Sequence, residues 1–370
     1  MGWTAVVSAQ PGAAGTVVQV TVRGQGATAD EALRNALAEV LRSAVNPPEE
    51  SRLSGRDLVL VRRTVEAMAD ELVNDYRVLE QGSTPDGRWF TRIEARVDRS
   101  AVSDTWRRVT RARRQMGQPT IAVYIREEID GQEQPAGILE SLIEKRLLEA
   151  GFQVKAGEQL RALAERNMEA AKADDDRSRM QAIARSFGAQ IFITGTAQAH
   201  AAGVKELYGE PTAMYNTNAT VKMYYTDTAD LLASESIPNW RGGARGYKES
   251  SVEAGKKALE NAARVLADRV MRSALRKWSL HALTGGELKL EVSGLSFSEA
   301  IQLKRTMLER ESKRIRGVRM SMVKDHHTFE ISAEMTAEEL AELLAGIKEP
   351  ALQIVGLSGN TIQARKRAGP

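Results

Sequence analysis

Histidine is the side chain that most readily moves protons or binds metals near neutral pH, and this chain of 370 residues has four: His200, His281, His326 and His327. None stands in a Ser/His/Asp or His-carboxylate pattern, so hydrolase chemistry has no visible centre. His326 and His327 are neighbours. On a strand or turn they point different ways, and no third ligand is identifiable, so no metal is expected. Asp174, Asp175 and Asp176 could chelate a cation, but their place before a helical segment makes complementation of the helix dipole the simpler reading. Cysteine is absent, which excludes disulfides, thiolate metal sites, a cysteine nucleophile and a lipidated cysteine in the chain as given. No catalytic residue, no cofactor and no metal is expected, and the chain reads as a non-enzyme.

Two glycine-rich strings imitate phosphate sites. Gly24-x-Gly26-x-x-Ala29 follows a strand and precedes a helix, as a dinucleotide fingerprint does, but Pro47-Pro48 and a further helix stand where the second parallel strand belongs. A structural glycine turn is the simpler reading. The string from Gly242 to Ser250 lacks the Gly-Lys-Ser/Thr ending of a phosphate loop and reads as a loop leading into the helix that follows.

Guanidinium clusters bind phosphate well. Arg107, Arg108, Arg111, Arg113 and Arg114 lie on one predicted helix, and Lys313, Arg314 and Arg316 follow another. Each cluster reads first as a solvated face or a protein contact, and these eight residues are the candidate interaction surface. Net charge is near balance, 52 Lys and Arg against 49 Asp and Glu. A polyanion partner is therefore permitted rather than demanded.

The elements that must position these residues fall into three groups. In the first, residues 17–22 read as a strand. A helix then opens at Thr28 and Glu31, which have capping-box spacing, and Ala32, Leu33, Ala36, Leu37, Val40 and Leu41 form its apolar stripe. A second helix is predicted over 61–76 and two strands over 77–81 and 88–97, joined through Pro85-Asp86-Gly87. The middle group starts with a strand over 120–125, a helix over 137–150 and a strand over 152–155. Helices are predicted over 157–170 and 176–187, then a buried strand over 191–196, a hairpin over 221–225 and 231–237, and a long helix over 252–280. The last group reads βαββαβ: strand 287–292, helix 296–311, strands 317–323 and 328–333, helix 336–347, and a final strand or hairpin over 352–365.

Ile121-Ala122-Val123, the helix running to Gly151, Phe152-Gln153-Val154, the string Gly188-Ala189-Gln190-Ile191-Phe192-Ile193-Thr194-Gly195, the Asp227-to-Leu232 hairpin and the Ala-rich last helix resemble, in that order, the periplasmic domain of the curli secretion channel and the TolB N-terminal domain. The middle domain of flagellar assembly protein T is similar. Arg23-Gly24-Gln25-Gly26 and the helix through Glu31 to Ala36 resemble the N-terminal domain of that same protein. The resemblance implies a bacterial envelope protein that assembles at or around a larger ring, and it transfers no catalytic residue. Long alternating strands of a membrane pore are not evident in the sequence, and residues 1–15 show no intact secretory signal.

The expectation is an α+β chain of three small mixed domains, over 16–114, 119–280 and 285–370, the last ferredoxin-like. Its function is that of a scaffold or assembly protein of the periplasm or cell envelope, with protein partners and self-association in a ring. The alternative is a cytoplasmic binder of nucleic acid or another phosphate backbone. A ferredoxin-like fold also serves RNA-recognition modules, but the 328–333 strand carries only Phe329 as an aromatic, so nucleic acid is the disfavoured partner.

Overall fold

The computed structural model describes residues 6–8, 16–44, 53, 55–116, 119–135, 137–159, 162, 184, 188–226, 230–284, 286–323, 326–333, 335–358 and 360–367. The predicted helices over 157–170 and 176–187, with Asp174 to Asp176, lie almost wholly outside them. The chain forms two compact units, Met1–Arg114 with Leu275–Ser279 and Gln115–Ala274 with Leu280–Pro370. Its helices and sheets mix in the α+β manner expected, in three separate sheets.

The first sheet contains β1 (Val6–Ser8), β2 (Val17–Gly26), β3 (Asp75–Ser83) and β4 (Trp89–Asp98) in the order β1-β2-β4-β3, all antiparallel. Helix α1 (Ala29–Ala44) covers one face; α2 (Gly55–Ala67) and α3 (Ala69–Leu72) follow it, and α4 (Arg99–Met116) follows β4. Alternation buries Val18, Val20 and Val22 of β2 and Ile93, Ala95 and Val97 of β4 on the α1 side, as a half-buried strand requires. Thr28 accepts from the Glu31 N–H at 3.2 Å, while the Glu31 carboxylate accepts from Ala27 at 2.8 Å. The predicted capping box thus closes one residue earlier than the cap itself. Tyr76, the last residue of the predicted second helix, belongs to strand β3, and the helical segment ends at Leu72.

In the second sheet the order is β10-β9-β8-β5-β6. The strands are β5 (Thr120–Ile129), β6 (Gln132–Gln134), β7 (Gln153–Lys155), β8 (Ile191–Leu207), β9 (Glu210–Tyr225) and β10 (Leu231–Arg245), with α5 (Ile138–Glu149) after β6 and α6 (Val252–Thr284) after β10. β5 runs parallel to β7 and β8, and β8, β9 and β10 form an antiparallel meander. This meander is far longer than the sequence predicts. Strands expected over 191–196, 221–225 and 231–237 extend to 17, 16 and 15 residues. Tyr208 and Gly209, both at positive φ, turn β8 into β9 between the paired Leu207 and Glu210, as a two-residue type I′ hairpin requires. Gly242 to Arg245, read as a loop, are the end of β10. A Cβ on Gly242 would stand 2.4 Å from the Ala258 carbonyl of α6. The glycine is there to let helix and strand touch.

The third sheet has the order β12-β13-β11-β15-β14, from β11 (Gly286–Ser293), β12 (Ile315–Val323), β13 (His326–Ala333), β14 (Leu352–Ser358) and β15 (Thr361–Lys366). Helices α7 (Phe297–Arg310) and α8 (Ala337–Ala345) each begin at a full capping box, Ser296 with Glu299 and Thr336 with Glu339. Of the two readings for residues 352–365, the hairpin is the one observed. β15 returns between β14 and β11 and pairs parallel to β11, so the βαββαβ order carries one strand more at its end.

Candidate functional site

Buried ionisable groups are where chemistry would be sought, and two buried carboxyls meet where a helix packs on the middle sheet: Glu127 on β5, 2% exposed, and Glu140 on α5, 4% exposed. Glu127 shares a strand face with Ile125 and Ile129, while Glu140 shares a helix face with Ile143 and Leu147. The Glu127 carboxylate accepts three backbone N–H groups at the start of α5, from Ile138 at 2.9 Å, Leu139 at 2.7 Å and Glu140 at 3.1 Å. These are donors that a helix start leaves unpaired. Glu140 answers in the reverse direction. On one edge, β5 pairs with β7 through residues 120–122 and with β6 through residues 127–129. The Ile125 N–H in the gap donates to Glu140 Oε2 at 2.8 Å.

Burial pushes the Glu127 carboxyl above the ordinary carboxylate range. Its three N–H donors pull the other way, and Glu140 adds to the rise. A raised pKa of this kind suits a general acid, but a catalytic carboxyl also needs room for a substrate. A Cβ on Gly137 would lie 2.2 Å from Glu127 Oε1, and one on Gly157 would lie 2.3 Å from Glu140 Oε1. Each carboxyl is roofed by glycine backbone, so the pair clasps helix to strand. The sequence contained a signal for it, an acid in the apolar alternation of residues 121–129, which ending the strand at Ile125 hid.

The basic candidates divide between the two units. On α4, Val102, Trp106, Val109 and Ala112 are buried, and the opposite face carries exposed Arg107, Arg108, Arg111 and Arg114. Spacings of three and four residues align them in one stripe. Arg107 pairs with Asp104. Arg113 turns inward and donates to Asp57 at 2.6 Å. Lys313, Arg314 and Arg316 lie at the turn from α7 into β12. Lys313 and Arg316 are exposed, whereas Arg314 pairs with Glu339 at 2.7 Å. His326 is exposed and His327 buried, its Nε2 3.1 Å from the Leu295 carbonyl. The two rings lie on opposite faces of β13.

Exposed apolar side chains collect at sheet margins, which residue-by-residue reading missed. β3, an edge strand, exposes Tyr76, Val78 and Leu79; β14, also an edge, exposes Val355 and Leu357. The β8–β9 hairpin ends in Tyr208, 90% exposed, with Val204 and Leu207 beside it.

No family model and no curated protein matches the chain. Solved structures that it resembles include a neuraminyllactose-binding hemagglutinin homolog from Helicobacter pylori, at 10% identity, 46% of this chain, 91% of that one and a TM-score of 0.28. Lipoprotein GNA1162 from Neisseria meningitidis has 14% identity over 42% of this chain and 97% of its own, with a TM-score of 0.24. The LpoB C-terminal domain from Salmonella enterica has 16% identity over 35% and 92%, with a TM-score of 0.22. At these TM-scores the likenesses assign no function to the chain.

Proposed function

We propose that the chain is a non-catalytic scaffold or assembly protein of the bacterial cell envelope, part of or docked on a larger ring such as a flagellar basal body. The observation that carries this reading is the placement of apolar surface. Among the described residues β3 and β14 are edge strands, and both expose apolar side chains, a combination that attracts further strands or partner chains. The ordered strings that resemble flagellar assembly protein T and the TolB N-terminal domain support the same reading, as does the closure of the buried acids under glycine. The third domain is the best candidate for ring contacts, because small αβ modules with open edges associate side by side.

Among the described residues no helix is long and apolar enough to cross a membrane. The Arg111 and Arg114 stripe favours one competing reading, a binder of phosphate backbones, whose affinity would fall steeply with salt. Fractionating cells that express the tagged full chain, together with anisotropy of labelled duplex DNA and single-stranded RNA, separates the two. The envelope reading expects recovery with envelope assemblies and no salt-sensitive nucleic-acid complex. Recovery in the cytoplasm with such a complex overturns it.

A further inference from the structure

We propose that the open edge of β3 is a self-association surface, on which a second copy of this chain lays its own β3 antiparallel about a two-fold axis between Val78 and Leu79. Among the described residues β3 ends the first sheet, and every residue from Asp75 to Gln81 is exposed. Tyr76 and Val78 pair with Ala95 and Ile93 of β4 and therefore lie on the sheet face that α1 covers over β2 and β4. They remain 39% and 49% exposed, an apolar margin that a continued sheet would cover.

The register follows from charge and from the bulge. A two-fold axis on Arg77 would oppose two arginines, and one on Glu80 two glutamates; like charges directly opposite destabilise a strand pair. An axis between Val78 and Leu79 opposes Arg77 to Glu80 of the second copy, twice by symmetry. In a regular strand such pairs, one odd and one even in number, would lie on opposite faces. Here Leu79 is bulged: Val78 pairs with Ile93 and Glu80 with Arg92, with no partner for Leu79. The alternation shifts by one. Arg77 and Glu80 then share the face of Glu94 and Arg92, while Tyr76 and Gln81 share the face of Ala95 and Thr91. Face and charge select the same register. Arg77 donates to Glu94 at 2.8 Å within its own sheet but stays 72% exposed, within reach of a second carboxylate.

The inference goes beyond the envelope reading and does not rest on it. The test is the sedimentation-velocity mass of the full chain over a concentration series, for wild type, Arg77→Glu, Glu80→Arg and the double swap. The wild type is expected to pass from monomer to dimer. Each single swap, which creates two like-charge contacts, weakens dimerisation about tenfold, and the double swap restores it. A wild type that stays monomeric, single swaps without effect, or a double swap no better than the singles would overturn the proposal. Hydrogen exchange of the wild type at low and high concentration needs no variant: β3 amides gain protection with concentration if the edge pairs, and unchanged exchange refutes it. A monomer found in the envelope fraction would sink this inference and leave the proposed function standing.

Discussion

Replacing Glu127 by alanine leaves the N–H groups of Ile138, Leu139 and Glu140 without their acceptor, in a site where the side chain is 2% exposed. An unsatisfied buried donor costs about 1–3 kcal/mol. Three cannot simply be added, because water can enter the cavity and the carboxylate's own desolvation is relieved. The net loss expected for Glu127→Ala is therefore that of roughly one unsatisfied group, about 1–3 kcal/mol. Glu127→Gln keeps one carbonyl oxygen, enough for the Leu139 and Glu140 donors, but sets an NH2 against Ile138, for an expected loss of about 1–2 kcal/mol. The assay is urea unfolding of the full chain followed by far-UV circular dichroism, with hydrogen exchange of α5 amides to assign the loss to this helix. The pH dependence has a definite sign. Because burial raises the folded pKa, the unfolded chain releases its proton first, and stability falls as pH rises from about 4.5 through the folded value. Glu127→Gln does not titrate, so the wild-type advantage over it shrinks across that window. The reasoning is refuted if Glu127→Ala changes stability by less than about 0.5 kcal/mol, or if Gln proves worse than Ala.

Gly24→Ala is expected to destabilise the first unit by about 1–3 kcal/mol, because its Cβ would stand 2.2 Å from the Ala32 carbonyl of α1; a melt reads it, and a neutral substitution would contradict the close packing. Glu299 is held at about pKa 2 by Lys366 and Ser296, so its contribution is complete above about 4.5 and lost as pH falls toward 2. Acid titration followed at the amides of α7 and β15 should show this loss, and Lys366→Met should diminish it. Ser296→Ala removes a capping-box acceptor and should cost about 1 kcal/mol, read at the same α7 amides. Tyr208→Asn relieves a positive φ of 55° at an exposed hairpin tip and should raise stability by a few tenths of a kcal/mol, roughly; a clear loss in the melt would show that the Arg245 stacking 5.1 Å away outweighs that strain.

Much of the local structure was determined by the sequence itself. Apolar spacing at three and four residues marked α1, and the buried Ala32, Ala36, Leu37, Val40 and Leu41 lie where it placed them. Turn chemistry marked Pro85-Asp86-Gly87, where Gly87 adopts a φ of 77°. These signals are local: a helix stripe or a left-handed glycine is legible within one or two turns of chain.

Tertiary structure decided what depends on neighbours distant in sequence. Residues 197–220 are rich in Ala, with Gly, Asn, Glu and Lys among them, residue types depleted in strands, yet pairing along β8 and β9 makes them one long hairpin. The motif of Gly24 and Gly26 reads as a cofactor fingerprint or a turn; both glycines instead lie in β2, where the α1 backbone leaves no space for a Cβ. Glu127 and Glu140 look like two ordinary acids until β5 and α5 bring the carboxyl of each to the backbone of the other. Which acid is buried, which glycine is crossed and which strand lies at an edge are properties of sheet order. Sheet order is set by long-range pairing, which no local window of residues contains.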